Sequence, residues 1–541
     1  MTETQVSRRE WMAVLAGCAA ASLAAASWSW HNNAMLNYGD AQAHLHIARR
    51  VIDARRPGLS ELGSVWLPLP HLLMIPFVAV YAWWANGIAG LIPSAAAYLA
   101  GCAGIYRLAR HWLTPAQAAV ALAFFAINPN LLYIQTTAMT EPLFVCELVW
   151  ASVWLVEWRG CLDLDDDRAR RRGDRLLYLI AMALSAAVFT RYDGWVMAFL
   201  AWVAVGMALL RRGRLRSRAF WTASAIVVAS PIVWLAYNAF IFGDWLDFIR
   251  GPYSAKAIEI RTATPGNGPP HPGWHDMWVS LKFFLKTAVL DAAKARWGKW
   301  LLAFSLLGTA WAWLIRRRRV FSWSLLLWLP VPFYAYSVAY GSVPIFIPPW
   351  WPHSWYNTRY GLEMLPSFAM GIAFFAHFLA TGVRKFKPQA ARYLMAAVFV
   401  LVGINAAYVL RERPLVYVEG TKNMDSRRQY DEEIPPVLRA LAAKYPGAPV
   451  LMNTSVHPEF VSFSGIPLRQ TINEADGDYL QRALAAPARE AAIVLAFGGD
   501  DFDRAVRAHP EGLRAVAHFA MKGQPAGTIY VSDTYDTQRG H

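Results

Sequence analysis

The chain has 541 residues, 56% of them hydrophobic and only 16% charged, against about 25% charged in an ordinary soluble protein. That balance excludes a water-soluble fold for most of the chain. Lys and Arg outnumber Asp and Glu by 52 to 37, but most basic residues fall in short loops between apolar runs, so the charge reads as topological and no nucleic-acid partner is expected.

The first apolar run, residues 11–28, follows Arg8 and Arg9. It is Ala-rich with small residues near its end, which leaves cleavage as a signal peptide open; a retained first helix is expected because it sets the parity of the crossings that follow. Taking the N-terminus as cytoplasmic, the basic loops 107–111, 168–175, 211–218, 316–319 and 384–387 lie on the cytoplasmic side when the spans are 95–108, 116–134, 141–158, 176–190, 195–210, 219–240, 299–315, 321–340, 362–381 and 391–410. With the first helix this makes about eleven crossings and leaves the C-terminal region outside the cell membrane, as in a bacterial-type cytoplasmic (inner) membrane protein. The run 67–85 is long enough to cross, yet counting it would put every later basic loop on the wrong face. It is therefore expected to lie in or dip into the outer leaflet, in keeping with Pro68, Pro70 and Pro76; the alternative is that it crosses and 95–108 is re-entrant.

On this map the outward-facing stretches are 30–66, 135–140, 243–298, 341–360 and a short turn around Arg191. Within the third, Met277, Trp278, Leu281, Phe284, Leu285 and Val289 recur at helical spacing with Lys282, Lys286 and Lys294 between them. That pattern predicts a basic amphipathic helix on the membrane surface, an interfacial anchor or a contact for an anionic lipid head group.

Beyond Arg411 the pattern predicts helices at 432–444, 478–485 and 501–508 and strands at 450–453, 492–496, 514–519 and 528–531. The division is thus a membrane domain, 1–410, and a small extracytoplasmic α/β domain, 411–541. The cysteines Cys18, Cys102, Cys146 and Cys161 lie in or next to apolar segments, so the second domain has neither a disulfide framework nor a zinc spacing. It also lacks a glycine fingerprint and a nucleophile elbow, which points to an accessory or packing role.

Chemistry-bearing residues gather on the outward stretches. Asn37-Tyr38-Gly39-Asp40-Ala41-Gln42-Ala43-His44-Leu45-His46 follows the first helix; Asp40 there suits a general base on a lipid-borne substrate, or simply a cap of the next helix. Glu141 in Thr140-Glu141-Pro142 opens a span from the same side, where it could equally be a cap. Thr190-Arg191-Tyr192-Asp193-Gly194 places an Arg and an Asp in a very short turn, able to pair with each other or to bind ligand. Arg359 in Tyr356-Asn357-Thr358-Arg359-Tyr360 offers a planar fork for a phosphate. Trp66, Trp350, Trp351, Trp355 and Tyr356 read mainly as an interfacial aromatic belt, with room for one or two to stack on a sugar or shape an isoprenoid groove.

The order and wording of these pieces resemble the GT-C superfamily of polyprenyl-phosphate-sugar-dependent glycosyltransferases, in the branch of the protein O-mannosyltransferases and the aminoarabinose transferase of lipid A, over residues 11–381. Tyr38-Gly39-Asp40 looks like the first-loop acidic motif, whose Asp is taken as catalytic base; Ala41 stands where many members carry a second acid, which argues against a two-acid metal site. Trp66-Leu67-Pro68-Leu69-Pro70-His71 is similar to the His-Pro-Pro-Leu element with its His displaced to the end. Thr140-Glu141-Pro142 is similar to the second acidic position, Arg191-Tyr192-Asp193-Gly194 to the Arg-x-acid-Gly turn, and Arg359-Tyr360 with Pro366 to the late Arg-Tyr-x-Pro motif.

The resemblance implies a polytopic GT-C fold and an inverting transfer from a polyprenyl-phosphate-linked sugar to an acceptor hydroxyl on a protein, lipid or glycan. Asp40 would deprotonate the acceptor, Arg359 or Arg191 would hold the departing phosphate, Glu141 would orient a substrate and Asp193 would fix Arg191, with Asp40, Glu141, Arg191 and Arg359 converging. His71, Trp66, Tyr356 and Tyr360 complete the expected binding set. No cofactor is required; a divalent ion on Asp40 and His44, one helical turn apart, with His71 and His353 on the same face, is compatible but not demanded. The competing readings are a transporter, against which the absence of an internal repeat and the outer-rim placement of the charges both count, and a ligase moving a whole glycan from a lipid pyrophosphate, against which the order of the acidic loops counts by analogy alone.

Overall fold

The computed structural model describes residues 6–164, 166–262, 269–293, 296–315 and 321–538. The predicted basic loop 316–319 and Lys294 lie outside them. The chain divides into two compact units: residues 1–32, 64–70 and 91–419 form the first, and 33–63, 71–90 and 420–541 the second. The C-terminal α/β region is thus joined in its unit by residues 33–63 of the first outer stretch and by residues 71–90, which include most of the apolar run 67–85, and the division predicted at 410/411 moves to 419/420.

Among the described residues eight helices are long and apolar enough to cross a bilayer: Arg8–His31, Ile88–Arg110, Asp167–Thr190, Asp193–Leu210, Arg218–Phe242, Gly298–Ile315, Thr358–Phe386 and Gln389–Asp425. The predicted count of about eleven included three more runs, and each departs for a local reason. The run 116–134 breaks into Pro115–Ala126 and Pro129–Ile134, because Pro129 opens a new helix and the Asn128 side chain accepts from the Asn130 and Leu131 N–H groups. The run 321–340 divides into a 3-10 turn, Ser322–Trp328, and Pro330–Tyr340, where proline again starts the helix. The third stays whole as Glu141–Leu162, but Glu141, Glu147, Glu157 and Arg159 are spread along it, so that no stretch of 18 residues holds fewer than three charges. The run 67–85 is divided into Leu69–Val78, with Pro76 inside it, and Tyr81–Asn86. Ten residues rise only about 15 Å, half the hydrocarbon thickness, so neither piece spans alone.

Helix ends in the first unit carry the charge pattern read from the sequence. Arg107 and Arg172, from different helices, reach the same Glu157 at 2.7 and 3.3 Å, with His111 at 3.4 Å. The basic ends at 107–111 and 168–175 therefore meet on one face, as the assignment of both loops to one side of the membrane requires. The predicted surface helix forms as Met277–Ala292, capped by Asp276, which accepts from the N–H groups of Trp278 and Val279. It is more than an anchor: Met277 and Trp278 are exposed, but Phe283, Phe284, Thr287 and Asp291 are buried, and Phe284 stacks on Tyr334 with centroids 4.6 Å apart. A Cβ at Gly361 would lie 2.7 Å from the backbone of Ala288, so only glycine allows this close approach.

In the second unit the strands β1 (Val450–Leu451), β2 (Thr471–Ile472), β3 (Ile493–Phe497), β4 (Leu513–Phe519) and β5 (Gly527–Ser532) form one sheet in the order β2-β1-β3-β5-β4. β1 pairs parallel with β2 and β3, while β5 pairs antiparallel with β3 and β4. β3 is buried along its whole length, as befits a central strand of Ile, Val, Leu and Phe. Helices Asp478–Ala485 and Asp501–Ala508 form where predicted, and Phe502 and Val506 pack with Leu451, Ile472 and Val494 in the core. The helix Gly39–Asp53 is tied to this body by the Arg469–Asp53 ion pair at 2.7 Å, and just beyond it Arg55 Nε donates to the Thr471 carbonyl at 2.8 Å.

Candidate active site

In the first unit several of the predicted residues meet in one buried ionic cluster. Glu141 begins its helix, with Pro142 in the first turn, and is 1% exposed. Arg191 is the C-cap of Asp167–Thr190 in extended conformation, and Asp193 starts the next helix at once. This abrupt turn needs Gly194, where a Cβ would sit 2.1 Å from the Ala187 carbonyl oxygen. Arg359 and Glu363 lie one turn apart on the 3-10 segment Thr358–Met364. Ahead of it Asn357 takes φ 56°, a left-handed conformation that asparagine tolerates.

Glu141 Oε1 is shared by the two guanidiniums, accepting from Arg359 Nε at 3.0 Å and from Arg191 Nη1 at 3.3 Å. Arg191 Nε also lies 3.2 Å from Asp193 and 3.3 Å from Glu363, its Nη1 donates to Thr140 Oγ1 at 3.1 Å, and its Nη2 donates to the Tyr334 hydroxyl at 2.8 Å. Tyr334 in turn donates to Glu363 at 2.7 Å. Arg359 Nη1 donates to Glu419 at 3.2 Å. Glu419 also accepts the backbone N–H groups of Asn357 and Thr358, each at 2.8 Å, together with the Thr358 hydroxyl, and so caps the 3-10 segment that carries Arg359. Both guanidinium carbons lie over the Tyr360 ring, at 4.8 Å from Arg191 and 5.1 Å from Arg359.

The predicted pairing of Arg191 with Asp193 is present, and Glu141 joins the two arginines that the sequence could only place on one face. Sequence reasoning missed Tyr334, Glu363 and Glu419. The two acids carried a signal, a carboxylate in or beside an apolar run; Tyr334 lies inside the apolar run 321–340, where nothing in the sequence sets it apart. The cluster holds two guanidiniums against four carboxyls, Glu141, Asp193, Glu363 and Glu419, so it is not the simple cationic patch that two exposed arginines would make. Asp193 and Glu363 also line a small cavity, against Phe144, Leu148 and Phe333.

The remaining first-unit candidates sit differently. Trp66 is half-buried, and its neighbours fix the segment: the Val65 carbonyl accepts from the Tyr192 hydroxyl at 2.8 Å, and Leu67 packs on Trp234 and Phe248. Tyr356 is exposed and pairs through its backbone with Phe346. His353 is exposed and its Nδ1 is 2.9 Å from the Pro348 carbonyl.

Asp40, His44 and His71 belong to the second unit. Asp40 is half-buried in the first turn of Gly39–Asp53. His44, one turn on, is buried with its Nδ1 2.8 Å from His71 Nε2, so the facing ring nitrogens hold each other in a hydrogen bond. Among the described residues no group of three or more His, Cys, Asp or Glu is placed to hold a metal ion. A further acidic pair lies nearby in this unit: burial and the adjacent Glu459 carboxyl push Asp431 up to about 8, against the opposing pull of Arg427. An acid raised in this way takes up a proton on folding, so its contribution to stability is full below about pH 4 and is lost as pH climbs through about 8. The melting temperature of the purified full chain should therefore fall by a few degrees between pH 5 and pH 9 through this pair, and Asp431→Asn, which cannot ionise, should flatten that decline.

Long apolar helices make this a polytopic membrane protein, and its likeness to solved structures gives it the GT-C fold. The chain is similar to the crystal structure of ArnT from Cupriavidus metallidurans bound to undecaprenyl phosphate, at 13% identity and a TM-score of 0.56 over 95% of this chain and 98% of that one. The apo structure of the same protein gives 12% identity and a TM-score of 0.50 over the same shares. No protein-family model matches the chain, and no curated protein does.

Proposed function

We propose that the chain is a membrane glycosyltransferase that moves a sugar from a polyprenyl-phosphate donor to an acceptor hydroxyl on the extracytoplasmic side of a bacterial-type inner membrane. The observation that carries this reading is the GT-C likeness along 95% of the chain to a structure holding undecaprenyl phosphate. In the proposed reaction the acceptor oxygen attacks the anomeric carbon while Asp40 takes its proton; the bond from that carbon to the phosphate oxygen breaks, and polyprenyl phosphate departs. One displacement of this kind inverts the anomeric configuration.

In this reading the two arginines take different roles. Every guanidinium nitrogen of Arg191 is engaged by a protein group, which suits a scaffold that fixes Glu141, Asp193 and Glu363 in place. Arg359 is assigned the departing phosphate, with Glu141 and Glu419 setting the direction of its fork. Glu141 then serves as a shared counter-ion more than as a substrate contact. The leaving group is already activated as a phosphate, so the reaction as proposed draws on side chains of this chain and names no cofactor. The test is transfer by the purified full chain from a panel of labelled polyprenyl-phosphate sugars to hydroxyl acceptors. One member of the panel is expected to be consumed with release of free polyprenyl phosphate and with inversion at the new bond. Consumption of a lipid-pyrophosphate glycan alone would replace the reading with that of a glycan ligase.

A further inference from the structure

The helix that begins at Gly39 lacks a cap of its own. Its N-cap is Tyr38, which makes no side-chain capping bond, so the first N–H groups of the turn carrying Asp40 need partners from elsewhere. One comes from 384 residues further along the chain: the Gly39 N–H donates to Asn423 Oδ1 at 2.7 Å. The same oxygen accepts from Arg427 Nη1 at 2.8 Å. Arg427 Nη1 and Nη2 then donate to the carbonyls of Asn37 and Leu36, at 3.3 and 2.7 Å, and its Nε donates to Asp431 at 3.2 Å. All of these residues lie within the second unit.

We infer that Asn423 and Arg427 are positioning residues for Asp40: their side chains hold the backbone of residues 36–39 from both its carbonyl and its amide side, and so set where the following carboxylate stands. The Arg427 fork spans two successive carbonyls, a task for a planar guanidinium and not for a single ammonium. Space enforces the arrangement as well, since a Cβ at Gly39 would lie 3.3 Å from Asn423 Oδ1 and 3.6 Å from Arg427 Nη1. Helix Gly39–Asp53 is held further along by the ion pairs of Arg50 with Glu61 at 2.8 Å and of Asp53 with Arg469 at 2.7 Å. Loss of the Asn423 contact therefore frees the first turn without releasing the helix.

This inference rests on the reading of Asp40 as the general base, and the experiment separates the two. Turnover of the labelled donor by the full chain is compared for wild type, Asp40→Asn, Asn423→Ala, Asn423→Asp and Arg427→Gln, with deuterium uptake of a peptide covering residues 36–41 as the second readout. Asn423→Asp keeps the acceptor oxygen and is expected to turn over within about threefold of wild type with the peptide still protected. Asn423→Ala and Arg427→Gln are expected to lower kcat about tenfold or more, with donor KM changed less than about twofold and faster exchange in the peptide. Equal losses in Asn423→Ala and Asn423→Asp would reduce the contact to packing and overturn the inference. So would wild-type turnover or unchanged peptide protection in Asn423→Ala while Asp40→Asn is silent, with the base reading intact. An active Asp40→Asn would remove the base reading and this inference together. If Asn423→Ala does not fold, the Asn423→Asp and Arg427→Gln arms decide by the same criteria.

Discussion

Asp40→Asn is expected to cut turnover by roughly 10²–10⁴-fold, the usual contribution of a positioned general base, while donor affinity stays within about twofold. The substitution is nearly isosteric and keeps an acceptor oxygen, so what disappears is the capacity to take a proton. A modest stability cost accompanies it. Asp40 lies in the first turn of its helix, where a negative charge interacts favourably with the positive end of the helix dipole, an effect worth about 0.3–1 kcal/mol. That cost is too small to account for a loss of several orders of magnitude, and a melting curve of the variant checks it directly. Wild-type turnover would remove Asp40 from the mechanism. A rise in donor KM with kcat unchanged would turn it into a binding residue.

The parts of this molecule legible in its sequence are those set by local physics. The apolar runs gave the spans that carry few charges, and helix periodicity in the soluble region placed Asp478–Ala485 and Asp501–Ala508 at their observed ends. Proline chemistry decided where reading by hydropathy failed, since Pro129 and Pro330 restart helices inside runs that look continuous. The site was half legible. Glu141, Arg191, Asp193 and Arg359 stood out as charges at span ends, but their partners Tyr334 and Glu419 come from distant elements, and nothing local in the sequence links Glu419 to the amides of Asn357 and Thr358. The same limit hid the second unit's composition. Asp40 and Asn423 are brought together by tertiary structure alone, so a boundary drawn where the apolar runs end could not reveal that residues 33–63 and 71–90 group with 420–541.

Arg359→Lys is expected to weaken binding of the product polyprenyl phosphate about tenfold or more, equivalent to about 1.4 kcal/mol, and to lower the melting temperature at the same time. The guanidinium reaches Glu141 through Nε and Glu419 through Nη1, and its residue is 6% exposed. A lysine ammonium is a point charge on a flexible stem and can satisfy one of those carboxylates. The other is left buried beside an excess of acid, for which the cost of a broken buried pair, about 3–5 kcal/mol, is the upper bound. Two consequences then separate. If Arg359 served only to tie Glu141 to Glu419, the lysine variant would melt earlier yet bind product and donor as wild type does once folded. If it meets the departing phosphate, as proposed, competition by unlabelled polyprenyl phosphate weakens and kcat falls, because a rigid fork aimed at the developing charge has been replaced by a mobile cation. Unchanged product inhibition in a folded Arg359→Lys would transfer the phosphate role away from this residue, and because each Arg191 nitrogen is already engaged, the search would then move outside the ionic cluster.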